Sequence, residues 1–455
     1  MTIQLKEDSP LRSTDFLYGV ATAAFQIEGA VAQRLPCIWD TFCARPGKIV
    51  DGSSGERACE HIARLAEDLD LLTRLGVDAY RFSISWPRVV RLDGKLNPAG
   101  ADFYARLVDG LLERGIKPFA TLYHWDLPQH LEDRGGWLQR EVALRFQDYA
   151  DLISRRLGDR VHAWATLNEP FCSAHLGYET AIHAPGLADR NNVHTAAHHL
   201  LLAHGLAMQP LRANCPQALS GIVLNFTPGY PAGDSAADLR AVQAADIEHN
   251  QWYLHPLLEG EYPEPLPGQA MGEMPDIQPG DMQLIAQPID FLGVNYYTRA
   301  VLRQGQDRMF EAVPPCGPVT DMDWEIYPQG LTDLLVSLNA NYALPPIYIT
   351  ENGAAMPDEV VDGRVHDTAR IDYLQQHLAA LENAMAQGVD VRGYFCWSLM
   401  DNFEWSFGYT KRFGIVYVDF ETQQRIIKDS GKAFADLLAS RTSPLKKRAH
   451  DNQSA

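Results

Sequence analysis

Two glutamates stand at the ends of apolar runs. Trp164-Ala165-Thr166-Leu167-Asn168-Glu169-Pro170 reads as a short buried strand that stops abruptly, because Pro170 has no amide proton to continue a sheet ladder. Pro346-Ile347-Tyr348-Ile349-Thr350-Glu351-Asn352-Gly353 is a second apolar strand ending in a glutamate, stopped by what reads as a turn-forming Asn-Gly pair. The two glutamates are 351 − 169 = 182 positions apart, too far for one local motif. If one barrel or sheet brings both strand ends together, they form a pair of facing carboxyl groups. Such a pair can split an acetal: one carboxylic acid protonates the leaving oxygen while one carboxylate relieves the electron-poor anomeric carbon. Spacing along the chain leaves open whether the pair is close enough for retention or wide enough for inversion.

Other side chains fit around that chemistry. Arg81 is a natural partner for an ionised nucleophile, since a neighbouring guanidinium keeps a carboxylate charged. Tyr297 can hydrogen-bond the same group, and Asn168, beside Glu169, can donate to a sugar 2-hydroxyl. A sugar also needs flat apolar faces and fixed polar hooks. Trp125, Trp324, Trp397 and Trp405 supply rings; Gln26, His124 and Glu404 supply hooks.

The elements that must position these residues alternate along the chain. Strands are expected at Phe16 to Ala24, Val77 to Trp86, Ile116 to His124, the Glu169 run, Ser220 to Thr227, Asp290 to Tyr297, the Glu351 run and Val391 to Leu399. Helices are expected at Glu60 to Leu75, Pro98 to Arg114, Arg140 to Leu157, Val193 to Leu211, Ala236 to Leu258, Gly330 to Leu338, Ala369 to Gln387 and Lys432 to Ala439. Eight strand–helix units imply parallel strands, right-handed crossovers and a closed α/β architecture, a single (β/α)8 TIM barrel with elaborated βα loops. An open doubly wound sheet is disfavoured, because no Gly-x-Gly-x-x-Gly follows any strand. Arg81, His124, Glu169, Asn295, Tyr297, Glu351 and Trp397 all fall near the ends of different strands, which in a barrel share one face. Residues 1–440 are read as one catalytic domain, and the polar tail 441–455 as disordered.

Bulk composition narrows the partners. The 455 residues carry 39 − 58 = −19 net charges, which argues against nucleic acid and anionic membranes. No apolar run reaches membrane-spanning length and the first ten residues carry no secretory signal. Seven cysteines without a Cys-x-x-Cys read as free thiols in a reducing, cytoplasmic setting. His194 and His198 are four apart, a spacing that can bind zinc. No glutamate completes a His-Glu-x-x-His, and the run is otherwise leucine and alanine, so a packed helix is expected and no metal or cofactor.

Thr166-Leu167-Asn168-Glu169-Pro170 and Ile349-Thr350-Glu351-Asn352-Gly353 resemble the two signature motifs of glycoside hydrolase family 1. The resemblance runs from Phe16 to about Phe434. It includes Phe25-Gln26-Ile27-Glu28-Gly29, Tyr123-His124-Trp125-Asp126-Leu127-Pro128-Gln129, Asn295-Tyr296-Tyr297 and Ser398-Leu399-Met400-Asp401-Asn402-Phe403-Glu404-Trp405. It implies a metal-independent retaining β-glycosidase with Glu169 as acid/base and Glu351 as nucleophile, supported by Arg81, Asn168, Asn295 and Tyr297. Gln26, His124, Glu404, Trp397 and Trp405 would line the glycone site, with Trp125 beside them and Trp324 on the aglycone side. Phosphoglycosidases of the family replace the Asn-Phe-Glu-Trp segment with one that ends in serine and gathers basic residues. Glu404 therefore implies a β-glucosidase acting on a β-glucoside or short β-linked oligosaccharide such as cellobiose, with β-galactoside or β-fucoside as further substrates. A 6-phospho-β-glucosidase, a transglycosylating enzyme and an inactive sugar-binding protein are the alternatives, and a homo-oligomer is left open. Ala181 stands where the family often has glycine, and Met356-Pro357 follow Gly353-Ala354-Ala355 in place of the usual residues; both bear on the aglycone rather than the chemistry.

Overall fold

The computed structural model describes residues 2–441. Its frame is a closed barrel of parallel strands: β1 Leu17–Ala21, β2 Ala79–Ser83, β3 Lys117–Tyr123, β4 Ala163–Asn168, β5 Leu219–Asn225, β6 Phe291–Asn295, β7 Ile347–Asn352 and β8 Val391–Trp397. Each strand pairs with its neighbours in chain order, and β8 closes on β1, with Ala21 opposite Trp397 on one side and Arg81 on the other. A main helix follows each strand in turn: α1 Leu65–Leu75, α2 Pro98–Glu113, α3 Arg140–Leu157, α4 Val193–Asn214, α5 Ala236–Asp246, α6 Pro328–Asn341, α7 Thr368–Ala386 and α8 Asp429–Ala439. This is the (β/α)8 barrel that the alternation implied.

The barrel is a packed core rather than a pore. Phe119 on β3 lies 4.8 Å, ring to ring, from Phe395 on β8 and 5.6 Å from Tyr348 on β7, which in turn meets Phe291 on β6 at 5.6 Å. Four strands thereby fill the interior with aromatic rings. Gly19 on β1 has no room for a side chain, since a Cβ there would come within 2.4 Å of the Phe395 ring. The surrounding helices bury one stripe each. In α3 the stripe is Val142, Phe146, Tyr149, Ile153 and Leu157. The Tyr149 hydroxyl lies 3.0 Å from the Ile84 carbonyl and 2.9 Å from that of Leu122, tying the helix to the ends of β2 and β3.

The histidines of α4 are packing residues. His198 contacts the Tyr262 hydroxyl at 2.9 Å and Asp281 at 3.1 Å, His199 the Trp137 carbonyl at 2.9 Å, and His204 the Thr166 hydroxyl at 2.7 Å. His194 lies with its ring 4.0 Å from that of Trp252.

Some expectations need correction. The helix expected from Glu60 begins at Leu65, because Ala58 and Glu60 have φ of 47° and 51°, left-handed values that no helix accommodates. The helix expected at Ala236 to Leu258 contains a π-helical stretch, Ile247–Gln251. The βα loops also hold small sheets that sequence reading passed over, including Gly229–Pro231, Ala300–Arg303 and Glu311–Val313. Arg441, assigned to the tail, docks on Asp78 with Nη atoms at 2.7 and 2.8 Å. The rest of that tail, 442–455, lies outside the described residues.

Candidate active site

At the carboxyl end of the barrel, β4 and β7 deliver their glutamates to the same place. The ladder slips beside both: register shifts occur between Ala165 and Asn168 against β5, and between Ile349 and Asn352 against β8. Such irregularities re-aim side chains at strand ends. Glu169 has φ of 47°, a costly conformation for a residue with a Cβ, and Pro170 then opens a helical turn that continues as the π-helix Cys172–Glu179. At the other strand end, the Asn-Gly pair is not a turn. Asn352 is a buried hub, donating to the Tyr296 carbonyl at 2.8 Å and accepting from the Tyr394 hydroxyl at 2.7 Å. Gly353 is required by close approach: a Cβ there would come within 1.8 Å of the Trp397 carbonyl oxygen.

A short chain of hydrogen bonds connects the two carboxyl groups. Arg81, third residue of β2, donates to Glu351 Oε1 at 2.6 Å and to Asn168 Oδ1 at 2.6 Å. Asn295, the last residue of β6, donates through Nδ2 to Asn168 Oδ1 at 3.1 Å and to Glu169 Oε1 at 2.7 Å. Tyr297 donates to Glu351 Oε2 at 2.7 Å. The four residues proposed as support therefore sit between or beside the two glutamates. Glu351, 3% exposed, has a donor on each oxygen, one of them the buried Arg81. Glu169, 6% exposed, has no guanidinium in contact among the described residues; burial first and the Glu351 carboxylate second push it up to about 8, against donors from Asn295 and Cys172. Two carboxyl groups in one pocket thus have different surroundings: Glu351 is paired with a guanidinium, and Glu169 is favoured as the neutral acid.

The remaining predicted residues line or back the same cavity, which has a volume of about 440 Å³. His124, Trp125, Trp324, Trp397, Glu404 and Trp405 are in its walls. The His124 ring lies parallel to those of Trp397 and Trp405, at 5.7 and 5.9 Å. Asn168 uses its oxygen for Arg81 and Asn295, so its Nδ2 is the atom 3.1 Å from His124 Nε2. That assignment makes Nε2 the acceptor and leaves the proton on Nδ1, a buried atom with no partner among the described residues. Burial, then Arg81, holds the ring well below the ordinary histidine range and so neutral.

Gln26 stands behind Glu404. Its Nε2 donates to Asn402 Oδ1 at 2.9 Å, to the Phe403 carbonyl at 2.8 Å and more distantly to Glu404 Oε2 at 3.3 Å. Glu404 is pushed up to about 8 by burial first and by Glu351 second. Its loop is anchored by Asp401, which accepts from Lys428 at 2.7 Å and Arg412 at 2.6 Å. Trp125 spends its indole N–H on the Asn168 carbonyl at 2.9 Å, so it offers the cavity only its ring. Trp324 is half-buried at the mouth, 5.3 Å from the Tyr297 ring.

Several wall residues escaped the sequence reading: Cys172, Leu176, Ile182, His183, Asn225, Phe226, Met322, Phe407 and Phe413. Asn225 ends β5, and the others come from the connections after β4, β5, β6 and β8, with no pattern that links one connection to the next. The sulfur of Cys172, three residues after Glu169, could have been suspected from that offset alone. His175, Glu179 and Glu248 also converge within metal-ligand distances, yet Arg190 and Arg308 pair with both carboxylates, so the cluster is read as ion-paired.

At the rim, Ala181 takes φ of 55°, a conformation that glycine adopts without steric cost. Lys48 Nζ donates to its carbonyl at 3.2 Å. Ala181→Gly is expected to stabilise the fold by roughly 0.5–1 kcal/mol, the relief of left-handed strain outweighing the added freedom of the unfolded chain. A thermal unfolding midpoint that falls in this variant would contradict the strain argument.

The model of "Glycosyl hydrolase family 1" matches residues 10–443. A bifunctional β-D-glucosidase/β-D-fucosidase of Bifidobacterium breve is 48% identical over 91% of this chain and 95% of its own length. A β-glucosidase of Agrobacterium sp. is 45% identical over 93% of this chain and 95% of its own. Among solved structures, a Thermotoga maritima family 1 glycoside hydrolase complexed with a cyclophellitol analogue transition-state mimic superposes with a TM-score of 0.91. It is 44% identical and covers 94% of this chain and 98% of that one.

Proposed function

The chain belongs to glycosyl hydrolase family 1, and from that membership we infer that it is a retaining β-glucosidase in which Glu351 is the nucleophile and Glu169 the acid/base. The observation that carries the division of labour is the unequal pairing of the two carboxyl groups. Arg81 and Tyr297 fix Glu351, whereas Glu169 sits in the same pocket without a cation of its own.

The reaction runs in two displacements. Glu351 attacks the anomeric carbon as the glycosidic C–O bond breaks, and the departing oxygen takes the proton of Glu169. The sugar is then an ester of Glu351, which no longer carries charge. One of the influences holding Glu169 near 8 was that charge, so its acidity rises at this stage. Glu169, now a carboxylate, accepts a proton from water, the water oxygen attacks the anomeric carbon, and Glu351 leaves. Asn168 has one amide hydrogen beyond the one facing His124, available to the sugar 2-hydroxyl.

Glucose is favoured by the floor of the site. Glu404 and Gln26 can exchange hydrogen bonds with the 4- and 6-hydroxyls, and His124 can donate from Nδ1. The ring of Trp397 supports the apolar face of the sugar, while Trp324 faces the aglycone. Loss of the 6-hydroxyl in a β-fucoside removes one partner without adding a clash. A 6-phosphate is disfavoured for a different reason. Among the described residues no lysine or arginine lines the cavity, which holds three glutamates, and Arg81 is consumed by Glu351.

A panel of 4-nitrophenyl β-glycosides tests this. The glucoside should be hydrolysed readily, the fucoside and galactoside measurably, and the 6-phosphoglucoside about 100-fold less efficiently or worse, since an uncompensated like charge costs several kcal/mol. Preference for the phosphorylated substrate would overturn the role given to Glu404. Cellobiose and other short β-linked glucosides are the natural substrates we propose, and the setting is cytoplasmic. None of the seven cysteines is in a disulfide and five of them are buried, which fits a reducing compartment. No helix of the described residues is long and apolar enough to cross a membrane.

A further inference from the structure

Among the described residues, each oxygen of the Glu169 carboxyl group has one hydrogen-bond partner. Asn295 Nδ2 is 2.7 Å from Oε1, and Cys172 Sγ is 3.2 Å from Oε2. An amide N–H can only donate, so Oε1 must accept whether Glu169 is charged or neutral. A carbonyl oxygen is the better acceptor, so the Asn295 donor favours the transferable proton on Oε2, the oxygen that the thiol faces. The turn between them is fixed, since the Cys172 amide donates to the Glu169 carbonyl at 2.9 Å. Cys172 is 8% exposed and belongs to the wall of the catalytic cavity.

We propose that Cys172 is a positioning residue for proton transfer: its S–H holds Oε2 of ionised Glu169 toward the cavity and, as a weak donor, releases it when that oxygen takes up a proton. The proposal rests on the reading of Glu169 as acid/base. A stronger donor would hold the anion and resist reprotonation; no donor would leave the oxygen free to turn away. The other titratable and charged groups around this pair are Arg81 on β2, Glu351 on β7, Tyr297 and Glu404 from the loops after β6 and β8, and Tyr253 from the helix packed behind. None of these makes a hydrogen bond to Oε2 among the described residues. Burial, reinforced by Glu169 itself, keeps the thiol well above its ordinary range, so it retains its proton while the enzyme works.

The test is the pH dependence of kcat/KM on phenyl β-glucoside, a substrate with a poor leaving group, for the wild type, Cys172→Ala, Cys172→Val and Cys172→Ser. Removing a donor to the anion raises the pKa of Glu169, so the alkaline limb of the alanine and valine variants should move up by several tenths of a pH unit. Their kcat on phenyl glucoside should fall roughly threefold or more with KM little changed, while 2,4-dinitrophenyl β-glucoside is cleaved with near wild-type kcat/KM. The serine variant keeps a donor, so its limb should stay at the wild-type position or lie below it. An unmoved limb in both donor-free variants, or an equal upward shift in the serine variant, would overturn the proposal while leaving the glucosidase reading intact. A wild type with no alkaline limb on phenyl glucoside would sink both this proposal and the assignment of Glu169.

Discussion

Glu351→Gly is expected to lose turnover of β-glucosides by about 10⁵-fold, the scale seen when a covalent nucleophile is removed. The side chain lies 3% exposed with both oxygens held, so nothing else in the cavity is placed to attack the same face of the sugar. Glycine leaves a space the size of a small anion beside Arg81 and Tyr297. Azide can enter it and attack an activated substrate, 2,4-dinitrophenyl β-glucoside, from the side that the carboxylate used. One displacement replaces two, so the product should be the α-glucosyl azide, inverted at the anomeric carbon. Loss of Glu351 also strands a buried guanidinium, an effect of about 3 kcal/mol or more on stability. The unfolding midpoint should therefore drop, and azide should restore part of it by supplying the missing charge. Retention of substantial activity without azide, or a β-configured azide product, would show that Glu351 is not the group that bonds to the sugar.

Much of this arrangement could be read before any coordinate was known, and the reason is physical. Barrel strands are covered on both faces, so they appear as uninterrupted apolar runs, and the helices between them bury one stripe each. Leu69, Leu72 and Leu75 of α1 illustrate the second signal, and Ala163 to Leu167 the first. A residue that ends such a run is on the open face by topology alone, which is why Glu169, Asn295, Glu351 and Trp397 were found. What escaped were features set by long-range approach. The glycine of Asn352-Gly353 looked like a turn residue, but the Trp397 carbonyl, from another strand, forbids a side chain there. The left-handed Ala58 and Glu60 that delay α1 leave no mark in their residue types. The mouth of the cavity is assembled by Ile182, Phe226, Met322 and Phe407 from four different loops, and nothing in the local pattern of any of them points to the others.

Glu169→Ala should divide substrates by their leaving groups. Phenyl β-glucoside and cellobiose need a proton on the departing oxygen, so their kcat/KM should fall by about 10³-fold, within the range general acid catalysis supplies. A 2,4-dinitrophenolate leaves without help, and its kcat/KM should change by about tenfold or less. The second step loses its base, so the glycosyl-enzyme should accumulate and kcat should fall even for the activated substrate. Azide needs no base. Entering beside the missing side chain, it attacks the glycosyl-enzyme from the face opposite Glu351 and should yield the β-glucosyl azide, the opposite anomer from that expected of the nucleophile variant. The pH profile gives an independent reading of the same group. Glu169 must be neutral to act as the acid, and burial with the Glu351 charge pushes it up to about 8. In the wild type kcat/KM on a poor leaving group should therefore be sustained below about pH 8 and decline above it, and the alanine variant should lack that decline. Equal losses on both substrate types, or an alkaline limb that survives the substitution unchanged, would mean that the proton comes from elsewhere in the cavity.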